Sequence, residues 1–197
     1  LFAAGDPEGA KVQINAVCNE IIERVREMMG LSVNVALGSW QQDLGYVYRS
    51  YEQAEKALLM QYTVGENCII DSENPLFSRN LYPHFDRITD NCTRHVREYE
   101  PGKLKADICE LEQLLRTSGY MRREAVEILL GVKQKTDKLF KTLGFEMEIH
   151  KKAEEEIREA PELTEALLVL TTYLQDAAEY LNRFSGSGMK SCAYQAY

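Results

Sequence analysis

The side chains able to do chemistry in this chain are five cysteines, three histidines, a single tryptophan and several acidic clusters. Cys18, Cys68, Cys92, Cys109 and Cys192 lie 50, 24, 17 and 83 residues apart, which matches neither a zinc site nor a redox C-x-x-C pair. Four of them have apolar neighbours, where a free thiol acts as a small hydrophobe, so buried and inert thiols are expected. An odd cysteine count suits a reducing compartment, and a cytoplasmic location is expected. His84, His95 and His150 have no carboxylate or cysteine at metal-ligand spacing, so no metal is expected.

Catalytic patterns are equally sparse. The glycines are scattered singly, so no loop is built to cradle a phosphate. There is no G-x-S-x-G, and Gly38-Ser39-Trp40 and Ser118-Gly119 read as turns. Glu154-Glu155-Glu156 reads as a solvated helix face rather than an acid–base pair. The expectation is a protein that is not an enzyme and carries no cofactor. Trp40, Tyr46, Tyr48 and Tyr51 are the candidate ligand contacts, because aromatic walls dominate small-molecule pockets. The competing expectation, and the preferred one, is that they pack a helix on a sheet.

The elements that must position these residues follow from hydrophobic periodicity. Leu1-Phe2-Ala3-Ala4 reads as the end of a strand, stopped by Gly5-Asp6-Pro7. From about Glu8, the residues Ile14, Val17, Cys18, Ile21, Ile22, Val25, Met28 and Met29 form one apolar helical stripe, closed by Gly30. Residues 31–38 alternate, with Leu31, Val33, Val35 and Leu37 on one face. A helix is expected over 44–62, then a turn at Gly65-Glu66-Asn67 and a strand at Cys68-Ile69-Ile70.

Beyond Asp71-Ser72-Glu73-Asn74-Pro75 no strand is expected. Pro83 marks a helix start, followed by Phe85, Ile88, Cys92, Val96 and Tyr99 and a break at Pro101-Gly102. Leu104 to Leu115 makes a second stripe ended by Ser118-Gly119, and Ala125 to Phe140 a third ended by Gly144. Phe145, Ile149, Ala153 and Ile157 make a weaker fourth. Pro161 opens a fifth, through Leu163, Leu167, Leu170, Leu174, Ala178 and Leu181. The fold expected is α+β and mostly helical: residues 1–71 an α/β segment, 76–184 an array of four or five helices, and 185–197 a flexible tail.

Composition bounds the function. At 45% hydrophobic and 27% charged the chain can bury a core, so disorder is excluded. No apolar run is long enough to span a bilayer, and the N-terminal residues do not read as a signal peptide. A net charge of −8 argues against direct nucleic-acid contact. Basic residues prevail over 116–141 and glutamates over 145–165; the expectation is two solvated helix faces that pair with each other.

The segment 31–70 carries a more specific signal. A strand ending in Ala36-Leu37-Gly38-Ser39 precedes Ser50-Tyr51-Glu52-Gln53-Ala54-Glu55-Lys56-Ala57-Leu58, and Gly65-Glu66-Asn67 turns into a last strand. This resembles the C-terminal half of the degenerate GGDEF-like domain of YesN-type, AraC-family response regulators, whose S-Y-x-x-A-x-x-A-L helix is matched at every fixed position. The stretch from Glu155-Glu156-Ile157 through Pro161 to Leu167, with the long helix after it, resembles that family's approach to its DNA-binding domain. The GGDEF signature and its metal-binding acids are not in this chain.

The resemblance implies half of a GGDEF-like fold followed by a helical linker. It implies a central module that relays input from a receiver to an AraC-type helix-turn-helix domain, both covalently linked and both absent from this segment. Such a module would work by population shift between two packings. A sheet with an uncovered edge invites pairing, so a homodimer is expected, or else a small sheet capped by the helical array, without a membrane contact. The alternatives are a small-molecule or nucleotide-sensing domain of the same kind of regulator, and a stand-alone helical interaction module.

Overall fold

The computed structural model describes residues 7–78, 80–145 and 152–186. The strand expected at Leu1–Ala4, the side chains of Ile149 and Cys192, and the tail from residue 187 lie outside them. The fold is mostly helical α+β, with eight α-helices and a two-stranded parallel sheet among the described residues.

The chain divides into two compact units. One comprises Leu1–Arg79 and Leu115–Arg122, the other Asn80–Leu114 and Arg123–Tyr197. The first therefore takes in the 3-10 turn Pro75–Ser78 and a stretch of the expected helical array. Local contacts explain the assignment of that stretch. The buried Thr63 hydroxyl lies 2.7 Å from the Tyr120 carbonyl, and the Arg122 guanidinium sits 5.6 Å from the centre of the Tyr62 ring. Gly119 adopts φ +69, and a Cβ there would come within 2.5 Å of the Phe77 ring, so no other residue fits.

In the first unit, α1 (Pro7–Met29) leads to β1 (Val35–Leu37), then α2 (Val47–Leu58), the single turn α3 (Gln61–Val64) and β2 (Ile69–Asp71). The strands are parallel, pairing Val35 with Ile69, Ala36 with Ile70 and Leu37 with Asp71. β1 is shorter than the alternation over 31–38 predicts. The reason is that side chains replace the ladder before Val35. The Asn34 amide donates to the Gly65 carbonyl at 2.9 Å and its oxygen accepts from the Cys68 N–H at 3.0 Å, while Asn67 accepts from the Val33 N–H at 3.2 Å. Asn67 is left-handed at φ 55, a conformation its short polar side chain tolerates.

The single helix expected over 44–62 is three pieces. Asp43 caps a 3-10 turn, Leu44–Tyr46, by accepting from the Gly45 N–H at 2.8 Å. At the other end Leu59 and Met60 bond three residues back, and the Thr63 hydroxyl sits 2.9 Å from the Met60 carbonyl, competing with helix continuation. The apolar stripe of α1 is only partly used. Cys18 and Ile22 are buried, whereas Val17, Ile21, Met28 and Met29 are exposed.

The second unit holds α4 (Tyr82–Glu98), most of α5 (Pro101–Ser118), α6 (Arg122–Thr142), which enters it at Arg123, α7 (Ala153–Glu159) and α8 (Leu163–Gly186). Its stripes bury as the periodicity predicts: Phe85, Ile88, Cys92 and Val96; Leu104, Ile108 and Leu111; Ala125, Leu129, Val132 and Phe140; Leu163, Leu170, Leu174 and Ala178. α8 packs against both α4 and α7. Tyr99 departs from its stripe: it is exposed and left-handed at φ 54, because it ends α4 while the Glu100 N–H bonds back to the His95 carbonyl. Pro101 opens α5 rather than breaking a helix. Phe145 lies just past α6 and stacks with Phe140, Tyr180 and Phe184.

The oppositely charged segments are bridged by one ion pair: Arg158 of the acidic stretch pairs with Glu127 of the basic one at 3.4 Å.

Two glycines give opposite predictions. At Gly38 a Cβ would stand 1.8 Å from the Ser50 carbonyl oxygen, so Gly38→Ala is expected to destabilise the first unit by about 3 kcal/mol. Gly131, inside α6, has open space around it, so Gly131→Ala is expected to stabilise the second unit by about 1 kcal/mol. Urea unfolding reads both, with Trp40 fluorescence for the first unit and circular dichroism for the helical one.

Candidate functional site

The first unit carries a groove of about 650 Å³ at the carboxyl ends of its two parallel strands. Its construction starts at Gly38. With no side chain there, the backbone after β1 meets the Ser50 carbonyl of α2, and both residues line the groove. Ile14 of α1, Leu37 of β1 and Val47 and Ala54 of α2 give the groove an apolar floor. The loop after β1 is held by side chains: Gln53 accepts from the Ser39 N–H at 3.0 Å, and the Gln41 amide donates to the Ser39 hydroxyl at 2.6 Å.

Charge gathers at one rim. Lys11 lies 2.6 Å from Asp71, and 3.8 Å from Glu73. The hydrogen bond to Asp71 raises the Lys11 pKa above its ordinary value against the opposing effect of burial, and the charges of both carboxylates add to the rise. The groove thus holds one ammonium and two carboxylates, a net charge of −1.

The four candidate aromatics separate. Trp40 and Tyr51 line the groove and remain 38% and 63% exposed. The Tyr51 hydroxyl donates to Glu55 at 2.9 Å, which raises its pKa and fixes the ring. Tyr46 and Tyr48 do not line it; they flank the Arg49 guanidinium, at 4.5 and 5.7 Å from their ring centres. All four are exposed, from 38% for Trp40 to 63% for Tyr51.

A second polar cluster sits in the helical unit, and sequence spacing gave no sign of it. His95 and Asp107 are both buried and face each other across the α4–α5 hairpin, Nδ1 to Oδ2 at 2.5 Å. Arg94 reaches Nε2 at 3.3 Å; a guanidinium offers only protons, so Nε2 accepts and Nδ1–H donates to Asp107. Glu100 stands 3.7 Å from Nε2, and the Lys103 hydrogen bond chiefly holds its carboxyl below the ordinary value. The separation of twelve residues between histidine and aspartate becomes contact only once the hairpin closes. Cys92, one turn before His95, is buried, and burial followed by the Asp107 charge pushes its thiol up to about 12. That is the reverse of an activated thiolate.

Other thiols depart from the expected burial: Cys109 is exposed and Cys68 half-buried, while Cys18 is buried. Among the described residues no group of three metal-ligating side chains converges, and no helix is long and apolar enough to cross a membrane. A third polar contact, in the same helical unit, is structural. The buried Lys133 ammonium bonds Asp137 at 2.8 Å, and Asp137 accepts from the Tyr173 hydroxyl at 2.5 Å.

No protein-family model, curated protein or solved structure matches this chain.

The thiols predict a reactivity pattern and a pH dependence. Cys109 is expected to be alkylated in the native protein and Cys92 only on unfolding, as read by mass mapping. The folded state keeps Cys92 protonated up to about 12, while its unfolded thiol ionises near the ordinary 9.0. The folded chain therefore binds more protons in that window, and stability falls as pH rises through it. Burial and the bond to Asp137 raise the Tyr173 pKa from its ordinary 10.0, which acts in the same direction. The urea midpoint is expected to drop between about pH 8 and about pH 10, and to drop less in Cys92→Ala; a level midpoint contradicts the assignment.

Proposed function

We propose that this chain is a central signalling module of a cytoplasmic bacterial two-component transcriptional regulator, passing the state of a receiver to an AraC-type DNA-binding domain. The observation that carries the reading is the use made of the S-Y-x-x-A-x-x-A-L segment. Ser50 is the residue whose carbonyl meets Gly38, Ala57 is buried, Ala54 floors the groove, and α2 contacts both strands. The residues on which the resemblance rests are those that join strand to helix. The regulator's DNA contacts belong to a domain outside this chain, and no catalytic role is assigned to it.

Homodimerisation is part of the proposal. It is supported by a sheet of only two strands among the described residues and by Val17, Ile21 and Met28 exposed along α1. A second reading, a domain that senses a small molecule, is favoured by one observation, the groove with Trp40 and Tyr51 on its wall.

Two experiments test the relay. Sequencing the gene on both sides of this segment is expected to find a receiver upstream and paired helix-turn-helix units downstream; a frame with no DNA-binding domain overturns it. Sedimentation is expected to show a dimer that Ile21→Glu weakens at least tenfold with circular dichroism unchanged; a wild-type monomer at all concentrations overturns the dimer.

A further inference from the structure

We infer that the groove at the carboxyl ends of β1 and β2 binds a small planar aromatic molecule carrying a cationic nitrogen group, its ring against Trp40 and Tyr51 and its N–H donors on Asp71 and Glu73. The inference rests on the small-molecule reading and gives that ligand a chemical class.

Position is the first argument. In open α/β sheets, ligands lie in the crevice outside the carboxyl ends of parallel strands. Asp71 closes β2 and Glu73 follows it by two residues, so the carboxylates stand where such a ligand is met. Size agrees: about 650 Å³ falls within the range that takes one small organic molecule.

The walls set the shape of the ligand. Trp40 and Tyr51 are large apolar rings left open to solvent in a cleft whose floor is apolar. The Tyr51 hydroxyl is already engaged with Glu55, so the residue offers its ring rather than its polar end. A flat ring buries the most area against such surfaces at small entropic cost.

Charge sets the polar group. The ammonium of Lys11 is engaged by Asp71, and a second carboxylate stands beyond it. A phosphate or carboxylate entering here would have to break the Lys11–Asp71 pair and then face Glu73. An amidinium, guanidinium or protonated amine instead finds carboxylate oxygens with lone pairs to spare. Rings held by a cation also gain from the Trp40 face. The groove therefore selects against nucleotides.

Trp40 is the only tryptophan of the chain, so emission excited beyond the tyrosine band reports from this groove alone. Three probes share a ring and a size and differ in charge: benzamidinium, benzamide and benzoate. Titrated into the 197-residue chain, with free N-acetyltryptophanamide as the control for collisional quenching, benzamidinium is expected to give a saturable change with half-saturation on the order of 1 mM, the affinity of a fragment this small. Benzamide is expected to bind more weakly, and benzoate at least tenfold more weakly. Glu73→Gln changes an exposed side chain, so folding is expected to be retained and the preference for benzamidinium over benzamide to shrink severalfold. Saturable binding of benzoate as tight as that of benzamidinium overturns the cationic class and leaves a small-molecule site standing. A linear response to all three, equal to that of the control, overturns the site and the sensing reading with it.

Discussion

The backbone contact between Gly38 and Ser50 is the constraint from which the first unit follows. The space a methyl group would need at Gly38 is occupied by the Ser50 carbonyl. Strand end and helix start therefore touch main chain to main chain, closer than any side chain permits. This pins the first turn of α2 to the end of β1, after which the helix runs over both strands with Ala57 buried beneath it. Gly38 and Ser50 also line the groove, beside Leu37, Val47 and Ala54.

The helical unit depends on a different economy. Its core is apolar, and two sets of polar side chains enter it with partners. Lys133 brings a charge into the core, but Asp137 meets it at 2.8 Å and the Tyr173 hydroxyl occupies the second carboxylate oxygen. His95 is treated similarly, with Asp107 on one nitrogen and Arg94 on the other. Removing one member of either set would strand a buried polar group, which costs more than the bond itself is worth. These sets tie α4 to α5 and α6 to α8 in one register, because a hydrogen-bonded pair tolerates less sliding than apolar contact.

The parts of this architecture written locally in the sequence were legible. The stripes of α4, α5, α6 and α8 repeat at helical spacing, and those faces are the buried ones. What was not legible depends on distant partners. Residues 31–34 alternate as a strand does, yet Asn34 and Asn67 spend their side chains on a clasp in place of the ladder. The 44–62 helix is interrupted where Leu59 and Met60 bond three residues back, and Thr63, just past that turn, meets the Tyr120 carbonyl 57 residues away. The His95–Asp107 pair has no signature in linear spacing, since hairpin closure creates it. The exposure of Trp40, Tyr46, Tyr48 and Tyr51 escaped the sequence for the same reason: periodicity places a ring on a face and does not say whether that face is covered.

The two units use apolar surface differently. In the helical unit most large apolar side chains enter the core, though Tyr82, Leu168 and Phe184 stay exposed, and Phe145 beyond α6 meets Tyr180 and Phe184. In the first unit, Val12, Val17, Ile21, Met28, Leu44 and Tyr51 remain in water. Single exposed hydrophobes are ordinary, but a run of them along one helix and around one groove carries a solvation cost that folding does not recover. Such surface is what association with a partner or a bound ligand would cover.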